Sequence, residues 1–365
     1  MKKFFKIFIN LIVIFPLFLF SLFKIIFNIR KIYSTNIIVI QSNGGFGYNF
    51  TTPDIMRNFY KRKKLFIWFF EPIRHNKNIK LFFDFDFLIL NLCITVKYKN
   101  GIYRFGEYEG VKNRYFTKII ILLIKFFSNK HSKVFKEYEF HEKLGKKNFL
   151  VNNKNEAWKD IYYNKVKKNN FSLKLKSKYR TRLNKKFNFK NHKLINIYLR
   201  QKGNINKKKN ITEILRSGSS EEEYYPLFKY LIKKKYIILI TGDIKISQKI
   251  KDFYSKFIFD ANDYMNKNLI SLYFSTISNY AIVEPGGAFW FGIYKKKVLK
   301  INAFPYGITL PGNKILFKNI IRKNDGYKMS KKWCEKNFKY KYKDQRYKVV
   351  SNSSKEILSF VKKYL

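Results

Sequence analysis

Tyr280–Gly287 reads YAIVEPGG: four apolar residues, then a carboxylate, a proline and two glycines. A short, wholly apolar run that stops at turn residues has the pattern of a strand buried on both faces. Ala288–Tyr294 follows with helical length, and Val298–Ile301 is strand-like again. Upstream, Leu269–Phe274 reads as helix, and Phe257–Phe259 as a short strand closed by Asp260. Tyr236–Ile240 is a strand closed by Thr241, Gly242 and Asp243. Before it, Tyr224, Leu227, Phe228, Leu231 and Ile232 recur at helical spacing. Ser219 or Ser220, with Glu222 or Glu223, predicts a capping box at the start of that helix. Pro226 is awkward there and is expected to kink the first turns. Leu194–Leu199 (LINIYL) opens the series as a strand that ends in Arg200. Such strict alternation builds a doubly wound parallel sheet. Ligands of these sheets sit beyond the carboxyl ends of the strands. Arg200, Gly242, Asp243, Asp260, Glu284, Gly286 and Gly287 all fall at such ends.

The N-terminal half starts a second series. Asn36–Gln41 (NIIVIQ) reads as a buried strand, and Ser42–Tyr48 (SNGGFGY) as a glycine-rich loop. Thr52 then caps a helix that has Pro53 at its first position and Asp54 in its first turn. Gly44, Gly45 and Gly47 let a ligand approach the backbone, and a helix N-terminus favours anions. The spacing is not GxGxxG, so no dinucleotide fingerprint is present. Leu65–Phe70 reads as a second strand, and Leu81–Leu90 (LFFDFDFLIL) as a third apolar stretch. Within it Asp84 and Asp86 share one face of an alternating strand, or form a pair able to hold a cation. Ile119–Phe127 is expected to be a core helix, with a second membrane contact as the alternative. The Lys/Asn-rich stretch 152–191 is read as interdomain helix and linker. The expected division is therefore 1–31, a hydrophobic segment; 32–190, an N-terminal domain with linker; 191–345, a C-terminal domain; and 346–365, a closing helix. Ser353 caps that helix with Glu356 at its third position, and the helix is expected to cross back toward the first domain.

The chain has 365 residues, which suits two domains, and 46% of them are hydrophobic, enough for a sizeable core. A net charge of +52 invites a nucleic-acid reading. Lys, Asn, Ile, Phe and Tyr, however, are inflated together while Pro is scarce, and those five share A/T-rich codons. The lysines are also scattered rather than clustered, so nucleic acid is not expected as a partner. Cys93 and Cys334 form no CxxC pair, and the four histidines have no ligand spacing. That pattern gives neither a disulfide framework nor a zinc site.

Lys2, Lys3 and Lys6 precede an apolar run, Ile7–Phe23. Its length of about 17 residues is the lower limit for a bilayer span. No small-residue cleavage site follows, and no polar stripe marks a soluble surface helix. Signal anchor, monotopic insertion and buried core helix stay open; membrane association is the expectation. Lys24, Arg30, Lys31 and Lys61–Lys64 lie behind the run, which favours a cytoplasmic body held against anionic lipid.

Four stretches carry a resemblance: IYLRQKG (197–203), the helix–strand unit 221–243, the segment 268–305 around EPGG, and the closing SNSSKEILSFVKKYL (351–365). In order and spacing they resemble bacterial surface-polysaccharide glycosyltransferases and, more distantly, fucosyltransferases of GT-B architecture. The resemblance implies two Rossmann-like domains facing across a cleft. It implies a nucleotide-sugar donor held by the C-terminal domain and a glycan or lipid-linked acceptor on the side of Gly44, Gly45, Gly47 and Tyr48. Arg200 would fork onto diphosphate oxygens, Gly286 and Gly287 would offer backbone N–H groups, and Glu284 would accept from ribose or sugar hydroxyls. No metal or other cofactor is required when these groups take the charge. The alternatives are a metal-dependent GT-A enzyme using Asp84 and Asp86, and a non-catalytic basic protein that binds nucleic acid or lipid. Tyr198 and Tyr48 stand where similar enzymes carry His, and Pro285–Gly286 where many carry Ser-Gly, so no catalytic base is assigned.

Overall fold

Both halves of the chain build a parallel sheet whose strand order reverses beside its first strand. The structure, a computed structural model, describes residues 2–41, 65–69, 86–89, 94–99, 102–107, 114–136, 175–200, 218, 220–254, 256–285, 297–304, 314–337 and 346–365. The chain divides into two units, Met1–Ile161 and Tyr162–Leu365.

The first unit opens with α1 (Lys2–Phe27) and α2 (Ile29–Tyr33), followed by β1 (Ile37–Gln41), β2 (Leu65–Phe69) and β3 (Asp86–Ile89). A hairpin of β4 (Ile94–Lys99) and β5 (Ile102–Glu107), then α3 (Arg114–Phe127) and β6 (Lys133–Lys136), complete its described elements. The sheet order is β3-β2-β1-β6 and every pairing is parallel. Ile25, Ile32, Ile38, Ile120 and Ile124 form the core between the helices and β1. Among the described residues, no helix is long and apolar enough to cross a membrane. The glycine loop, Tyr48, the helix expected after Thr52 and Asp84 lie outside the described residues.

The second unit runs through α4 (Ser177–Phe187), β7 (Lys193–Leu199), α5 (Tyr225–Lys233), β8 (Tyr236–Gly242), α6 (Gln248–Phe253), β9 (Ile258–Asp260) and α7 (Lys267–Ile277). It continues with β10 (Tyr280–Val283), β11 (Lys297–Ala303), β12 (Lys314–Phe317), β13 (Asn319–Arg322), α8 (Lys331–Asn337), β14 (Tyr347–Val350) and α9 (Ser354–Tyr364). Six strands in the order β12-β11-β10-β7-β8-β9 form an all-parallel sheet. Numbered within the sheet, that order is 3-2-1-4-5-6, the doubly wound dinucleotide-domain topology. The order of winding reverses between β7 and β10, and in such sheets ligands sit at the carboxyl ends beside that point.

Alternation along β7 sorts its side chains between two layers. Ile195, Ile197 and Leu199 face the apolar core shared with Leu227, Phe228 and Leu231 of α5 and Ile357 and Val361 of α9. On the other face Asn196 is buried and hydrogen-bonded: its Nδ2 donates to the Leu239 carbonyl (2.9 Å) and to Thr241 Oγ1 (3.1 Å). The closing helix therefore packs within the second unit's core. Its capping box forms as its sequence predicts.

Three local expectations change. Glu221–Tyr224 is a 3-10 turn and the α-helix begins at Tyr225, so Pro226 sits in the first turn, where its missing N–H is harmless, and it kinks nothing. The Ser220 side chain makes no capping bond. Glu223 instead accepts from the Ser354 backbone N–H (2.7 Å) at the start of α9. Finally, α4, read as interdomain, packs on the second unit: Phe187 stacks on Tyr273 and meets Phe274 edge-on.

Candidate functional site at the sheet reversal

The carboxyl ends of β7, β10 and β11 meet in one polar cluster. The backbone N–H of Arg200, just past β7, donates to Glu284 Oε2 at 2.6 Å. Glu284, just past β10, is fully buried. Its Oε1 accepts from the Tyr224 hydroxyl and, at 2.9 Å, from Asn302 Nδ2. Asn302 lies near the end of β11 with a left-handed φ of 49°, where the register against β12 shifts. It forms a reciprocal pair with Asn352: Asn302 N–H donates to Asn352 Oδ1 (3.0 Å), and Asn352 N–H to Asn302 Oδ1 (2.7 Å).

Gly218 completes the cluster. A β-carbon there would lie 2.0 Å from Glu284 Oε2 and 2.5 Å from the Arg200 carbonyl oxygen. Only glycine lets the chain pass that close to the carboxylate.

In this arrangement both oxygens of Glu284 are engaged by the protein's own donors. The carboxylate faces the protein, accepts from backbone and side-chain donors, and locks the ends of β7, β10 and β11 together. The outward group is Arg200. Its half-buried guanidinium donates from Nη1 to the Pro285 carbonyl at 3.1 Å. That bond holds a cation at the mouth of the reversal, beside the segment leading to Gly286 and Gly287, which lie outside the described residues.

Tyr198, the next-to-last residue of β7, is buried against the same edge. Burial pushes its hydroxyl pKa up, the charges of Asp243 and Glu284 push it further, and Arg200 opposes them. The side chain stays a neutral phenol at ordinary pH.

The other expected positions are placed as follows. Gly242 ends β8 with φ 109°, and a β-carbon there would lie 2.1 Å from the Leu199 carbonyl oxygen. Its glycine is needed to bring the turn against β7, where Asp243 N–H donates to that same carbonyl (3.0 Å). The Asp243 side chain is exposed at this edge. Asp260 is buried two strands from the reversal: its carboxylate accepts from the N–H groups of Ile246 and Asn262, both at 2.9 Å, and lies 3.4 Å from Lys251 Nζ. The structure thus brings Arg200 and Glu284 together and leaves Asp260 in a separate turn. Asp86 begins β3, at the amino end of its strand. That edge is opposite to the one where ligands of parallel sheets gather. Among the described residues no group of His, Cys, Asp or Glu is clustered so as to hold a metal ion.

Tyr224, Asn302, Asn352 and Gly218 were not singled out by sequence. Asn302 carries the signal that singled out Arg200, a polar residue at the end of an apolar strand. Tyr224 reads as one more apolar helix position, and its hydroxyl leaves no mark on the pattern.

No protein-family model and no curated protein matches the chain. Among solved structures, the chain is similar to a glycosyl transferase family 9 protein from Veillonella parvula, at 12% identity, covering 91% of this chain and 97% of that one, with a TM-score of 0.49. It is similar to the wall teichoic acid polymerase TagF at 13% identity, covering 86% and 85%, with a TM-score of 0.32. Anabaena HepE in complex with UDP-glucose gives 8% identity, 77% and 85% coverage and a TM-score of 0.26. At these identities and scores the likenesses carry no argument; the fold rests on strand order and register.

Proposed function

We propose that the chain is a glycosyltransferase of the GT-B kind. It transfers a hexosyl or deoxyhexosyl group from a nucleotide-sugar donor to a glycan or lipid-linked acceptor in surface-polysaccharide biosynthesis, at the cytoplasmic face of the bacterial inner membrane. The observation that carries the reading is the Arg200 guanidinium, held at the reversal of a 3-2-1-4-5-6 sheet. A departing nucleoside diphosphate gathers negative charge. A preorganised guanidinium stabilises it through paired, charge-assisted hydrogen bonds.

In this reading Glu284 positions Arg200 and does not touch the sugar. Gly286 and Gly287 add backbone N–H groups. Asp243 stands at the rim as a hydroxyl acceptor. Gly44, Gly45, Gly47 and Tyr48 face the acceptor. Neither a metal nor nucleic acid has a part.

A thermal-shift screen of nucleotide sugars, free sugars and free nucleotides tests it. A donor at a hundredfold its Kd stabilises the folded state by about 2.7 kcal/mol. One nucleotide sugar is expected to raise Tm by several degrees more than its free sugar. A screen in which no nucleotide or nucleotide sugar shifts Tm overturns the reading.

A further inference from the structure

Helices α1 and α3 each carry two apolar stripes. The inward stripes are spent: Ile25 of α1 packs with Ile120 and Ile124 of α3 over Ile38 of the sheet. Among the described residues nothing covers the outward stripes. Phe15, Phe20, Phe23 and Phe27 of α1 are 50–84% exposed, and Leu122 and Phe126 of α3 are 64% and 80% exposed. Leu122 and Phe126 are four residues apart, on consecutive turns of one face. A water-facing helix would carry polar residues there. Large exposed apolar side chains on two helices that share a buried core mark an interaction surface.

We propose that these outward faces form one lipid-docking surface, which lies in the headgroup region of an anionic bilayer without crossing it. The charge around it selects that occupant. Neither helix contains an acidic residue, while Lys24 of α1, Arg30 and Lys31 of α2, and Lys118 and Lys125 of α3 are basic. A second copy of the chain would set these like charges against one another, whereas anionic headgroups complement them. Crossing is disfavoured by the packing, since a spanning α1 would have to pull Ile25 out of the core it shares with Ile38. The inference rests on the membrane placement proposed above and deepens it: α3, which lies far beyond the N-terminal run in the chain, supplies part of the contact.

Flotation of the full chain with vesicles of phosphatidylcholine, alone or mixed with phosphatidylglycerol, tests the surface. Wild type is expected to float with the anionic vesicles and to be released by salt. Leu122→Glu/Phe126→Glu and Phe23→Glu/Phe27→Glu are each expected to lower the bound fraction at least tenfold. Circular dichroism should show them folded, because all four positions are exposed. Leu122→Ser/Phe126→Ser is the milder replacement should the glutamates perturb folding. If the α3 variants float like wild type, the two-helix surface is overturned while membrane placement stands. If wild type floats with no vesicle, both fail. If the variants abolish a dimer seen in sedimentation and leave flotation unchanged, the surface is a self-association face and the proposal is wrong.

Discussion

Glu284 and Asp260 are both buried acids just past or at the end of strands in one parallel sheet, and both accept backbone N–H groups, yet they do different work. Asp260, on the edge strand β9, ties Ile246 and Asn262 into a local turn and neighbours Lys251, which also pairs with Asp263 at 2.5 Å. The described partners of its side chain all lie within 14 residues of it. Glu284 stands at the sheet reversal and holds partners up to 84 residues from it. Position relative to the reversal, rather than burial or charge, separates a site organiser from a turn staple.

The largest expected effect belongs to Glu284→Ala. It takes the buried acceptor away from three donors, the Arg200 N–H, the Tyr224 hydroxyl and the Asn302 amide, of which the amide keeps the Tyr224 oxygen at 3.3 Å. Unsatisfied buried groups cost ~1–3 kcal/mol each, so a loss of roughly 3–5 kcal/mol is expected, read by urea denaturation. Gly218→Ala attacks the same cluster sterically, because its new methyl group must displace the carboxylate or the Arg200 carbonyl. It is expected to weaken nucleotide-sugar binding about tenfold or more, ~1.4 kcal/mol, as read by titration calorimetry. A Gly218→Ala protein with wild-type stability and binding would show the cluster to be slack and the comparison empty.

Arg200→Ala separates binding from stability. The backbone N–H that reaches Glu284 survives the substitution, so the fold should change by no more than about 0.5 kcal/mol. The lost guanidinium should cost donor binding ~1.5–3 kcal/mol, roughly ten- to a hundredfold in Kd. Equal donor affinity in wild type and variant would place the diphosphate elsewhere. Asp260→Asn makes the converse case. It removes the charge beside Lys251 while keeping an acceptor oxygen for Asn262, so a stability loss of about 1–2 kcal/mol is expected, with donor affinity unchanged. A matching loss of affinity would join the two acids into one site.

The sheet was legible because its central strands are unbroken apolar runs: LINIYL, YIILI and YAIV each became β7, β8 and β10 within a residue or two. The shorter and more polar β12, β13 and β14 were not found, since KILF, NIIR and YKVV lack the length or alternation to stand out. Strand-end chemistry was legible as position and illegible as orientation. Arg200 and Glu284 read as strand-end residues and lie at strand ends, but whether a carboxylate turns to ligand or to protein depends on Tyr224 and Asn302, which lie 60 and 18 residues from it in the chain. The local capping rule also yields to a distant partner, since Glu223 leaves its own turn to cap Ser354, 131 residues later. By contrast the Ser353–Glu356 box needs no distant residue, and it formed where the sequence put it. Phe187 belongs to the second unit through Tyr273 and Phe274, a contact no local pattern in 152–191 announces.

The smallest expected effect compares two tyrosines, one at each end of the contrast. Tyr198, at the reversal, has its pKa pushed above the ordinary tyrosine value by burial first and then by Asp243. Tyr264, beside the Asp260 turn, is raised by burial first and then by Asp263 and Asp260, but it is only half-buried. A folded-state pKa raised above the unfolded value favours the protonated form in the fold. The stability this contributes is complete below the unfolded tyrosine pKa of about 10. It is lost as pH rises from there through the folded value. Alkaline titration of stability should therefore fall above about pH 10, with part of the slope belonging to each phenol. Tyr198→Phe should flatten that slope by up to one proton, and Tyr264→Phe by less, because the more exposed ring gives up less solvation on folding. Urea midpoints measured at intervals between neutral pH and about pH 11 decide the matter. Equal flattening by the two variants would mean that the reversal is no more closed to water than the edge turn, and the distinction between Glu284 and Asp260 would lose its electrostatic support.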